Sequence, residues 1–209
     1  MSLHMMIGLI GLLYIVIFGG MALLRREGLS TRFAIESISI TAIFTILAYL
    51  TPIQIHPVLF LLLLYLITLR VRILVDLANV FARRGNFLQA EKIYNLAYHV
   101  WPDQTSDLII KVNHAILLLL KNQLDESISM LSEIIAEANK GYLGVKYEAA
   151  AHYNLGVAYL RKKENSKATV EFNAVLDTWP ASLYAQRAQQ ALERQRKALT
   201  HVEDKSPDQ

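Results

Sequence analysis

The sequence predicts an all-α protein: three transmembrane helices, then helical hairpins closed by a capping helix. Two observations predict it. The 209-residue chain is 54% hydrophobic with a mean hydropathy of +0.30, and the excess concentrates before residue 70. After residue 70 the apolar residues recur at helical spacing, interrupted at intervals by glycine or proline. The composition sets further bounds. A net charge of +3 is too small to argue for a nucleic-acid partner. The absence of cysteine excludes disulfides, thiolate metal sites and a cysteine nucleophile.

The first span is Met5–Leu24, a run of 20 residues without a charge. At ~1.5 Å per residue it can cross ~30 Å of hydrocarbon. A cleaved signal peptide is the competing reading. It is disfavoured because no Lys or Arg precedes the run and no small-x-small site follows it. The Arg25-Arg26 pair comes after the span, which predicts an outside N-terminus and a cytoplasmic Arg25–Arg32 loop. The second span, Phe33–Leu50, carries Glu36, Ser37, Ser39, Thr41 and Thr45. Its hydroxyls can bond carbonyls of the preceding turn. Glu36 stands one turn from Arg32, so pairing near the interface is expected rather than an ion site within the membrane. A turn, Thr51–Pro57, leads to a third, short span from Pro57 to about Leu69, with Arg70 and Arg72 snorkelling at its end. No GxxxG pairing motif is present. His4 and His56 would lie near the outside surface, where lone histidines are ordinarily solvated.

Between Pro57 and Gly85 there is no Gly or Pro, so one continuous or nearly continuous helix is expected to join the third span to the rest of the chain. In residues 71–104 the pattern is Leu74, Leu77, Ala78, Phe81, Gly85, Phe87, Ala90, Tyr94, Ala97 and Pro102. The small residues let two antiparallel helices approach, the large ones fill the gaps, Gly85 makes the turn and Pro102 stops the second helix. This pattern resembles the tetratricopeptide repeat (TPR), a helix–turn–helix unit of about 34 residues. A second, more divergent copy spans Leu108–Gly141, with Ala115, Leu118, Leu124 and Leu131 in register, Ser127 in place of an alanine, and Asn139-Lys140-Gly141 ending it. A third, Ala149–Ser182, has Leu155, Gly156, Tyr159, Ala168, Phe172 and Pro180. Ser182–Leu199 reads as a capping helix with Gln186, Arg187, Gln189, Gln190, Arg194 and Arg196 outward. The expected domains are thus 1–70 in the membrane, 71–199 as a TPR domain of about three repeats with its cap, and 200–209 as a disordered tail.

No GxSxG, phosphate-cradling glycine loop or HExxH stands in the chain, no paired carboxylates occur in a cleft-like context, and no residue nominates itself for catalysis, a cofactor or a metal. The chain therefore reads as a non-enzyme. His99, His114 and His152 fall on separate predicted helices. The TPR resemblance implies an all-α superhelix whose first helices line a partner-binding groove. By register that groove takes Asn79, Arg83, Asn113, Ile116, Tyr153, Asn154 and Arg161. Asparagine amides can hold a peptide backbone by a donor and an acceptor, and apolar neighbours suit an amphipathic helix. Alternatively, Asn79, Asn113 and Asn154 bond neighbouring helices. Asn79 and Asn113 match the asparagines of the TPR carboxylate clamp that grips chaperone tails, but its basic positions hold Val75, Ala150 and Asn154, which argues against that ligand. The resemblance covers about 110 residues. Together with the spans it implies a membrane-anchored scaffold, assembly factor or accessory subunit, binding a protein subunit of a membrane complex from the cytoplasmic side. Photosystem assembly TPR proteins are an analogous group. The alternative is a transporter or membrane enzyme with a regulatory TPR domain, for which Glu36 is the only support.

Overall fold

A computed structural model describes residues 2–24, 30–52, 55–138, 141 and 143–203. Arg25 and Arg26, Asn139 and Lys140, and the tail beyond residue 203 lie outside the described residues. Among those described there are ten helices and no strand. The helices are α1 (Leu3–Leu24), α2 (Thr31–Leu50), α3 (Pro57–Thr68), α4 (Arg70–Arg83), α5 (Phe87–His99), α6 (Gln104–Leu120), α7 (Leu124–Ala138), α8 (Val145–Arg161), α9 (Asn165–Thr178) and α10 (Leu183–Glu203). The chain divides into two compact units, Met1–Ile110 and Lys111–Gln209. Composition places a boundary at residue 70, whereas by packing α4 and α5 belong with the apolar helices.

In the first unit, α1 and α2 are long and apolar enough to cross a membrane. They pack antiparallel: His4 meets Tyr49 edge-on, and Cβ atoms added at Gly8 and Gly11 would touch Thr45 and Thr41. At Gly11 that Cβ would lie 2.2 Å from Thr41 Cγ2, so only glycine fits this crossing. The small-residue contact is there, but spaced Gly8-x-x-Gly11 rather than GxxxG. Ile7, Tyr14, Phe33, Phe60 and Leu64 form a buried apolar core. Outside it Leu12, Val16, Ile35, Ile38 and Ile46 are exposed, a surface suited to lipid rather than water.

The third apolar helix is short, and with the helix that follows it forms a bent pair rather than one continuous helix. α3 has only 12 residues, ~18 Å of helix. It meets α4 at a bend of 72°. The absence of Gly and Pro predicts a continuous or nearly continuous helix, and side chains accompany the break. Thr68 Oγ1 donates to Leu64 O at 2.7 Å, and Arg70 Nη1 donates to Ile67 O. Carbonyls at the end of α3 thus find partners without the next turn of helix. Tyr14 Oη lies 2.6 Å from Thr68 Oγ1 and pins the end of α3 to α1.

Three hairpins follow with one turn. Gly85, Asn122 and Lys163 take φ of 77°, 63° and 63°. In each, the next residue's N–H returns to a carbonyl five residues back: Asn86 to Phe81, Gln123 to Leu118, Glu164 to Tyr159. The left-handed residue's own N–H bonds three residues back, completing a Schellman closure. Counted from these turns, the buried positions coincide: Ala78, Ala115 and Gly156 before them, Ala90, Ser127 and Ala168 after them, then Tyr94, Leu131 and Phe172. Ser127, where the other copies have alanine, donates to Ala115 O at 2.9 Å. A Cβ on Gly156 would lie 2.7 Å from Phe172. In the second unit α7–α10 pack in succession. Ala185 and Ala188 of α10 are buried in a cluster with Ala168, Phe172 and Val175, while Gln186, Arg187, Gln189, Gln190, Arg194 and Arg196 are exposed.

Candidate functional site

In the first unit the polar residues gather where α2 begins. Ser30 caps α2, accepting from Phe33 N at 3.0 Å. Asp103 caps α6, its Oδ1 accepting from Ser106 N at 2.9 Å. The two caps are joined, because Ser30 Oγ donates to Asp103 Oδ2 at 2.6 Å. Arg32 N donates to the same oxygen at 3.3 Å. One carboxylate therefore serves the N-terminal ends of two helices, where negative charge is favoured. Burial pushes the Asp103 carboxyl upward, but the hydrogen bonds from Ser106, Ser30 and Arg32 outweigh it and hold it below the usual carboxylate range.

One turn further along α2, Glu36 accepts from Arg32 Nε at 2.8 Å and from both terminal nitrogens of Arg70, at 2.6 and 2.9 Å. The pairing with Arg32 is the one the sequence predicts; Arg70, read there as snorkelling, supplies the stronger bidentate half. Arg70 Nε also donates to Val100 O at 2.9 Å, and Arg32 Nη1 to Trp101 O. The loop between α5 and α6 is thereby clamped to the start of α2. Trp101 there has φ 52° and is 74% exposed. A bulky residue held in the left-handed region costs on the order of 1 kcal/mol or more, so the clamp sustains real strain. The cap residues Ser30 and Asp103 carry a readable helix-start signal. Their bond to each other, across 73 residues, does not.

The seven groove residues fall in both units. In the first, Asn79 Oδ1 accepts from Tyr94 Oη at 2.7 Å, so this amide ties α4 to α5. Arg83 is exposed at the end of α4. In the second, Asn113 and Ile116 are half-buried on α6, and Leu120, one turn on, is exposed. Tyr153 is half-buried on α8, its ring 5.9 Å from that of Phe172 and 5.8 Å from that of Tyr184. It borders the core rather than standing clear of it. Asn154 Nδ2 donates to Ala150 O at 2.7 Å within its own helix. Arg161 is exposed and donates to Leu119 O at 2.8 Å, satisfying a carbonyl at the end of α6. Of the histidines, His152 Nδ1 lies 2.7 Å from Glu171 Oε2, His4 is 3.0 Å from Ser2 Oγ, and His56 caps α3. Among the described residues no group of three or more His, Cys, Asp or Glu is placed to hold a metal ion. Compared with protein-family models, curated proteins and solved structures, the chain finds no match.

Proposed function

We propose that the chain is a membrane-anchored TPR-type scaffold, without catalytic activity, that binds a protein subunit of a membrane complex through the face of its second unit. The observation that carries this reading is the threefold recurrence of one hairpin, with small residues at the same close approaches and the same left-handed turn. Such units bury their apolar faces against each other and leave the first helix of each hairpin to present side chains. On α6, Ala115, Leu118 and Leu119 are buried while Ile116 and Leu120 remain accessible, with Asn113 one turn before Ile116. On α8, Asn154 and Arg161 border the same hairpins. This arrangement suits the apolar face of a partner helix with polar contacts at its edges. Anchoring rests on α1 and α2; the N-terminus is outside and the repeats cytoplasmic, as the arginines after α1 argue. Glu36, the one residue that speaks for the transporter alternative, is paired with Arg32 and Arg70, which favours the scaffold reading.

The test is sizing of the protein after extraction from native membranes in mild detergent. Migration well above the 23.7 kDa chain in its micelle is expected. Ile116→Asp should abolish it while leaving the melting temperature near that of wild type, since it places a charge at an apolar contact without touching the core. A wild-type chain that migrates alone would contradict the scaffold reading.

A further inference from the structure

We propose that Trp101 is an interfacial anchor: its ring inserts into the headgroup layer of the lipid bilayer and fixes the α5–α6 loop at the membrane surface. The inference rests on α1 and α2 crossing that membrane. Three observations place the ring there. The loop's carbonyls are held by side chains at the start of α2 and of α4: Val100 O by Arg70, Trp101 O by Arg32. Asp103, two residues on, bonds Ser30, the residue before α2. Trp101 is therefore fixed near the level of residues 30–36 of α2, the end of the apolar run and the place of its only acidic residue, Glu36. At the same end, Leu23 and Leu24 of α1 are exposed apolar residues that lipid would cover. Finally, the ring is 74% exposed although the loop is firmly held, and its backbone takes φ 52°. A tryptophan kept outside a clamped loop beside the end of a lipid-crossing helix has its amphipathic ring at the depth where such rings partition best, apolar body toward the acyl chains and indole N–H toward the headgroups.

The experiment uses the full chain reconstituted in phosphatidylcholine vesicles. The protein has two tryptophans, Trp101 and Trp179. Trp179→Phe leaves Trp101 as the only emitter; if that variant folds poorly, the difference between wild type and Trp101→Phe isolates the same signal. Lipids brominated at the headgroup end of the acyl chain should quench Trp101 by half or more, lipids brominated at the methyl end much less, and aqueous iodide only weakly. Full iodide quenching with no effect of bromolipid, on protein that floats with the vesicles, would overturn this inference alone. Protein that does not float would overturn the membrane reading along with it. Equal insensitivity to iodide and to both bromolipids would show that protein covers the ring, and would also overturn it.

Discussion

At the scale of single residues, the first unit depends on a few charged groups with several duties each. Asp103 is held below the ordinary range by hydrogen bonds that need its charged form. Its contribution to stability is therefore complete above the ordinary Asp pKa of about 3.9 and is lost as pH falls below that through the lower folded value. Thermal unfolding in detergent should show an acid-side loss that Asp103→Asn removes. At neutral pH that variant should be about 1.5–3 kcal/mol less stable, the usual worth of hydrogen bonds to a charged group. Arg70 offers a second check. A lysine keeps the charge but cannot bond both Glu36 oxygens and Val100 O at once. Arg70→Lys should raise protease cleavage and hydrogen exchange in the 67–72 segment and around Trp101; protection equal to wild type would show that the clamp needs charge alone.

At the scale of elements, the hairpins arise from small residues at close approaches. Gly156→Ala puts a methyl 2.7 Å from the Phe172 ring and should cost about 1–3 kcal/mol by overpacking. Ala168→Leu, at a fully buried position, should cost at least as much. Ile116→Asp should cost little by comparison, and a loss matching Ala168→Leu in the same denaturant titration would show that Ile116 is core. These elements were legible because helical spacing of Ala78, Ala90, Tyr94 and their counterparts is a local signal, repeated three times. The end of α3 was not. A chain without Gly or Pro reads as continuous or nearly continuous helix, and the break at Leu69 is accompanied by bonds of Thr68 and Arg70, whose partners Tyr14 and Glu36 lie 54 and 34 residues away. Tyr153 shows a finer limit. Register puts it in the groove facing a partner, whereas its half-buried ring packs beside Phe172 and Tyr184.

At the scale of the molecule, composition separates an apolar first part from the rest of the chain, and among the described residues two helices, α1 and α2, are long and apolar enough to span a membrane where the sequence predicts three. What composition does not reveal is that the first hairpin packs into the same unit as the apolar helices, through charges at the start of α2. The proposed topology has a direct check: protease added to right-side-out vesicles should leave residues 82–203 intact, and digestion there would reverse the orientation. The central claim, that the second unit carries a protein partner, is tested most directly by crosslinking. A photoreactive amino acid replaces Ile116 in one sample and exposed Arg187 of α10 in another, each irradiated in native membranes. The account predicts a discrete protein adduct of defined mass from position 116 and none from position 187. No adduct at 116, or the same adducts from both positions, would contradict it.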